Sequence, residues 1–319
     1  MRLRPGPVLS WMPDAMPQPA SLPPRTSPGA RLLRAGVPAI ESRRSSASLV
    51  AIVVVAATAG ITATNALAFS RADSVVWQWH AATGGWINPN LVLFLPLTAL
   101  IVGGLIIAKG GLRLADLGLA PGWVARLAGL LLAGWLAANA LAVIATILAG
   151  APVEYHGSWQ EHGAGNVVGL FAAMVLGTAL FEETVFRGYL LPQLHFALSG
   201  RIAGERLRLA AALVGSAAIF ALWHLPTILL NSSAGLAAIF GALAYMMLGG
   251  ILLSLLYLRT ARLEVAIAGH ALVNAPTLIV ASPVSGSLLA GVVGVAAILA
   301  GPLLVGRNHS FSLARPVAV

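Results

Sequence analysis

The sequence predicts an all-α, polytopic membrane protein of about eight transmembrane helices. Three features carry that expectation. The chain of 319 residues is 58% hydrophobic and only 9% charged, about a third of the ~25% usual for a soluble domain, so polar groups could not cover a soluble surface. From residue 47 onward it runs in apolar stretches of about 18–27 residues, long enough to cross a hydrocarbon core of ~30 Å at 1.5 Å per residue. Its basic residues then fall almost entirely on one side of the bundle those stretches imply.

Taken in order, residues 1–46 are rich in Pro, Arg and Ser, as in MPQPASLPPRTSPGARLLRAG, and show no periodicity. They read as a disordered or targeting extension. A transmembrane domain over 47–306 follows, with a short tail at 307–319. Its spans are expected at 48–69, 91–108, 124–149, 166–195, 208–230, 235–258, 264–281 and 286–306. Helices are required, because the apolar runs are unbroken rather than alternating and lipid offers no partner to a strand edge.

Of 19 Lys and Arg, 17 fall before the first span, in the second, fourth and sixth loops with their flanks, or in the tail. Arg71 stands on the opposite side, and Arg187 lies within a span. The positive-inside rule then places both termini in the cytoplasm, in the plasma membrane if the source is bacterial. The net charge of +9 is thereby an orientation signal rather than a nucleic-acid footprint, which would cluster on one soluble face. The second loop, GLRLADLGLAPGW, is expected as a short amphipathic helix on the cytoplasmic surface. With no cysteine, disulfide and thiolate chemistry are excluded.

Three formal charges lie inside the spans away from their ends: Glu182, Glu183 and Arg187, in FEETVFRGY. Each would cost at least ~2.5–3.5 kcal/mol at the bilayer centre. Glu183 and Arg187 share a helix face at i,i+4 and can pair. Glu182 is rotated ~100° away and has no charged partner in its own helix. FALWH places Phe220 and His224 on one face of the fifth span, and HALVN places His270 and Asn274 on one face of the seventh. In the hairpin of spans four and five, Glu182 and His224 reach similar depth. His270 is expected nearer the cytoplasmic end, with Asn274 about 6 Å deeper, so that the site would open toward the cytoplasm.

A carboxylate and an imidazole at one depth can share a water and activate it, and a second His with an Asn can donate to an oxyanion. The same donors suit a divalent metal, with Glu182, His224 and His270 as ligands and one position open. The polar residues also fit interhelical hydrogen bonding without chemistry, with Phe220 as packing.

EETVFR, FALWH and HALVN occur in that order on separate spans. This pattern resembles the CPBP family of intramembrane endopeptidases, which takes in the type II CAAX prenyl proteases and the bacteriocin-processing and immunity (Abi) proteins, with a motif core over 160–281. The resemblance implies a peptidase acting on a peptide or protein substrate, lipid-modified or not. It implies that Glu182 with His224 activates the water, that His270 and Asn274 form the oxyanion hole, and that Glu183, Arg187 and Phe220 support the site, which lies between helices four, five and seven. It leaves the cofactor open between a divalent metal such as zinc and none, that is, between a metalloprotease and a glutamate protease. A transporter or proton-coupled channel would also use midplane carboxylates and histidines, but predicts an internal repeat that the sequence does not display. A non-catalytic immunity or scaffold protein would keep the residues and work by binding.

Overall fold

A computed structural model describes residues 42–232 and 235–305. The expected extension over 1–46, apart from 42–46, and the tail at 307–319 lie outside the described residues. Six helices are long and apolar enough to cross a membrane. They are α1 (Ala47–Phe69), α2 (Pro89–Lys109), α3 (Trp123–Leu148), α4 (Gly163–Leu198), α5 (Glu205–Asn231) and α6 (Leu236–Thr260). Two further apolar helices follow, α7 (Leu263–Asn274) and α8 (Gly286–Val305). The architecture is all-α and polytopic, with the order of helices that the apolar runs predict.

Local chemistry sets the helix starts and breaks. Ser46 Oγ accepts from the Leu49 amide at 3.2 Å and caps α1, satisfying one of the free N–H groups of the first turn. Asn88 does the same for α2 through the Asn90 amide at 3.0 Å, with Pro89 in the first turn, where its missing N–H costs nothing. Within α5 the regular helix runs Glu205–Trp223 and resumes at Leu225–Asn231. Pro226 lacks the N–H that would bond the Leu222 carbonyl, so the ladder is interrupted where His224 stands.

The fourth helix is the centre of the bundle. Its most apolar window is 56% buried, against 33% or less for the other five long helices. One side packs on α1, α2 and α5 through Phe181, Val185, Phe186 and Tyr189 against Phe94, Phe220 and Trp223. The other packs on α3, α5 and α7 through Val175, Ala179 and Leu191 against Leu127, Leu213 and Ile267. The lipid-facing helices keep large exposed apolar side chains, such as Val55, Leu100, Leu132 and Phe240, as a bilayer solvent requires.

Two expectations are corrected. The seventh helix, expected over 264–281, stops at Asn274 after 12 residues, a length of about 18 Å. Ala275 precedes Pro276, and proline drives the residue before it out of the helical region; Ala275 has φ −141° and ψ 74°. The chain beyond is extended and pairs with the loop before α4: the His156 amide donates to the Ile279 carbonyl at 2.7 Å and the Ala281 amide to the Glu154 carbonyl at 2.9 Å. The second loop is no surface amphipathic helix. It contains a single 3₁₀ turn, Leu114–Leu117, and buries Leu112, Leu117 and Leu119 against the bundle. Its Gly118 carbonyl accepts from the Leu263 amide at 3.2 Å, so α7 begins inside the protein.

Candidate active site

The candidate residues Glu182, Glu183 and Arg187 stand on a stretch of α4 with loosened hydrogen bonding. Hydrogen bonding widens to the π pattern over Met174–Ala179 and again over Thr184–Leu190, leaving one regular turn, Leu180–Glu183, between them. Single π turns inside α-helices often mark functional sites. The carbonyl of Phe186 in the second widened stretch accepts from Ser216 Oγ of α5 at 3.0 Å, which keeps a buried acceptor satisfied.

Glu183 is fully buried and doubly held. Arg187 Nη1 donates to its Oε1 at 2.9 Å, and His270 Nδ1 lies 2.7 Å from the same oxygen. The helix pair expected at i,i+4 is therefore present, with His270 of α7 added to it. Arg187 also donates to the Gly250 carbonyl of α6 at 3.2 Å. Gly250 makes that approach feasible: a Cβ there would lie 3.1 Å from Ala217 Cβ and 3.3 Å from Phe220 Cδ1. Phe220 does more than fill space. The Arg187 guanidinium carbon sits 4.3 Å from its ring centroid, and the His224 ring meets it edge-on at 4.6 Å. One ring thus positions an arginine by cation–π attraction and an imidazole by edge-to-face contact.

Glu182 differs from its neighbour. It is 3% exposed, and its Oε2 has no hydrogen-bond donor, as is true of the second oxygens of Glu183 and Glu264. Those two carboxylates take close hydrogen bonds on Oε1, whereas Glu182 has no charged partner nearer than 3.7 Å. Two imidazoles face Glu182 Oε2: His270 Nε2 at 3.7 Å and His224 Nε2 at 4.0 Å. These gaps exceed a direct hydrogen bond but are short enough for one water to touch both sides. The His224 tautomer follows from its other nitrogen. Nδ1 lies 2.9 Å from the Phe220 carbonyl, which can only accept, so Nδ1 donates and in a neutral ring Nε2 is left as an acceptor. The meeting of Glu182 and His224 across the hairpin is as expected. His270 is level with Glu182 rather than nearer the arginine-rich end, because α7 starts deep: Leu263 is fully buried.

Glu182 and His224 line an open cavity of about 660 Å³ with Asn65 in the last turns of α1, Ser70 just beyond it, Asn90 at the start of α2 and Asn231 at the end of α5. The cavity therefore reaches from mid-bundle to the end opposite the arginine-rich loops, which corrects the expected direction of opening. Toward the arginine-rich end the way is closed, since Val185, Phe186, Tyr189 and Leu190 are each at most 2% exposed. Asn274 is not among the residues lining this cavity. One helical turn beyond His270, it lines a second cavity of about 380 Å³ together with His80, His156 and His162.

Sequence reasoning missed the amide cluster at the cavity wall. Asn231 Nδ2 donates to Asn65 Oδ1 at 2.5 Å, and Asn65 Nδ2 donates to Thr227 Oγ1 at 3.0 Å. The signal available was a buried-type amide, Asn65, within an apolar run. It also missed Glu264, which is fully buried at the other end of the bundle, with Arg126 Nε at 2.5 Å and Arg262 Nη1 at 3.6 Å.

A metal bound tetrahedrally at about 2.0–2.2 Å keeps its ligand atoms roughly 3.4 Å apart. The Glu182–His270 and Glu182–His224 separations are longer, and among the described residues no group of three or more His, Asp or Glu side chains is gathered so as to hold a metal ion. The three-ligand reading of Glu182, His224 and His270 gains no support from this geometry.

Residues 164–276 match the family model of the type II CAAX prenyl endopeptidase Rce1-like domain, a match consistent with the CPBP family. It takes in α4 to α7 and all seven residues from Glu182 to Asn274 considered above. Neither a curated protein nor a solved structure matches the chain.

Proposed function

We propose that the Rce1-like domain at 164–276 works as an intramembrane endopeptidase that hydrolyses a peptide bond with a water held between Glu182 and His224. One observation carries the reading: a buried carboxylate with no charged partner nearer than two imidazole nitrogens at 3.7 and 4.0 Å, lining an open cavity. In a chain that spends so little charge, an unanswered intramembrane carboxylate is a functional group by default.

Both Glu182 Oε2 and His224 Nε2 are acceptors, so a water between them donates one hydrogen to each. Its lone pairs are left pointing at a substrate carbonyl. As the water oxygen attacks the carbonyl carbon, Glu182 takes a proton and the carbonyl oxygen becomes an oxyanion. Glu182 then returns that proton to the amide nitrogen, the oxyanion collapses and the C–N bond breaks. A carboxylic acid and an amine leave, the acid passing its remaining proton to the amine to give a carboxylate and an ammonium. Charge counting assigns His270 its part. Glu183 and Arg187 cancel, which leaves the negative charge of Glu182, and one proton on His270 makes the cluster neutral. In that state His270 Nε2 can donate to the oxyanion, while Glu183 holds Nδ1 and so fixes the ring. Asn274 is the second oxyanion donor in this reading. No step requires a metal, and a chelator is expected to leave hydrolysis unchanged.

The test uses the purified full chain and a peptide library in proteoliposomes. Glu182→Gln and Glu182→Ala are expected to lower hydrolysis by about 10²–10⁴-fold with thermal stability retained. Cleavage persisting in both variants would falsify the mechanism.

A further inference from the structure

The cavity opens at the end of the bundle that carries almost no positive charge. Among the described residues, the end formed by the starts of α1, α3, α5 and α7 carries Arg43, Arg44, Lys109, Arg113, Arg201 and Arg206, among others, while the opposite end carries Arg71 alone. Short loops with an excess of Arg and Lys stay in the cytoplasm. The mouth of the cavity, at Ser70, Asn90 and Asn231, is therefore on the other face.

We infer that the substrate reaches Glu182 from the non-cytoplasmic side of the membrane, as an uncharged stretch of polypeptide presented on that face. This rests on the catalytic reading of Glu182 and adds the side and the class of substrate. Two further observations point the same way. The cytoplasmic half of the bundle is packed solid beneath Glu182, by Val185, Phe186, Tyr189 and Leu190. It is clasped at its end by Arg126 and Arg262 on the buried Glu264, and among the described residues none from that end lines the cavity. The cavity walls also carry neutral amides and hydroxyls, Asn65, Asn90, Asn231, Thr178 and Thr227, and Glu182 is the only acidic side chain lining it. Amides present both donor and acceptor and match the N–H and C=O groups of an extended peptide backbone. Apart from the reacting Glu182 and His224, the described residues of the wall offer a charged substrate group no counter-charge, and burying it unpaired is costly.

The chain has no cysteine, so single-cysteine variants read this directly. Ser70→Cys at the cavity mouth and Ala115→Cys in the second loop, both at exposed positions, are treated with a membrane-impermeant maleimide in intact expressing cells and after permeabilisation. The expected result is that Ser70→Cys labels equally in both conditions, whereas Ala115→Cys labels only after permeabilisation. Asp73→Cys, on the loop beyond the cavity, gives the same readout should Ser70→Cys fail to accumulate. A bulky polyethylene-glycol maleimide on Ser70→Cys is then expected to lower peptide hydrolysis most of the way to the Glu182→Gln level. Labelling of Ala115→Cys but not of Ser70→Cys or Asp73→Cys in intact cells overturns the inference, as does full hydrolysis by the modified Ser70→Cys protein. Labelling needs no catalysis. If the expected labelling appears while Glu182→Gln still cleaves, the catalytic reading fails and the orientation of the cavity stands.

Discussion

Two places in this bundle bury carboxylates beside arginines, and they are balanced differently. At the arginine-rich end, Glu264 is fully buried and answered by two cations, Arg126 and Arg262, whose side chains are 33% and 47% exposed. Those arginines reach from the carboxylate to water, so the charge is overcompensated and stays in contact with solvent. At mid-bundle, two buried carboxylates share one arginine, itself 1% exposed. Arg187 and His270 converge on a single oxygen of Glu183, and Glu182 faces two imidazoles and a cavity. The first arrangement is a clasp that seals one end. The second leaves a basic group held in place without a partner, which is a destabilising arrangement unless it serves chemistry.

Breaking each cluster sharpens the contrast. Beyond Glu182, the largest effect is expected from Arg187→Leu. It leaves Glu183 buried without its cation and takes the guanidinium off the Phe220 ring, and removing one partner of a buried pair costs about 3–5 kcal/mol. A fall in the thermal midpoint, together with loss of hydrolysis, is the expected result; an unchanged midpoint would show that His270 alone suffices for Glu183. Asn274→Ala is expected to lower kcat by on the order of 10²-fold with KM held, as for loss of an oxyanion donor. If KM rises instead and kcat holds, Asn274 belongs to substrate binding in the second cavity, where its side chain lies. The smallest effect is expected from Arg126→Ala, about 1–3 kcal/mol of stability for a buried acceptor losing one of its partners, with hydrolysis by the folded protein unchanged because the clasp is remote from Glu182. A loss of kcat in that variant at full stability would show that the two clusters are coupled.

The pairing of Glu183 with Arg187 was legible in the sequence because both lie on one helix, four residues apart, and helix geometry converts spacing into contact. The same holds for Phe220 with His224. The link of His270 to Glu183 was not legible, because it joins residues 87 apart through the depth at which α7 begins. That depth depends on the second loop, whose leucines turn inward instead of resting on lipid, and the composition of GLRLADLGLAPGW suits either placement. The early stop of α7 could have been read from Asn274-Ala275-Pro276, where proline chemistry is local. The widened turns on either side of Glu182 had no such local sign.

The sequence by itself determined that the chain is an all-helical membrane protein, which end carries the positive charge, and which few polar side chains stand inside it. These follow from composition, run length and the cost of charge in lipid, and all of them are properties of single segments. Only the tertiary structure decided which carboxylate is answered and which is left facing two histidines, and toward which end the cavity beside it opens. Those depend on the relative depth of α4, α5 and α7. Helices in a bundle can slide past one another without altering any one helix's own periodicity, so their register is set by side-chain packing between segments.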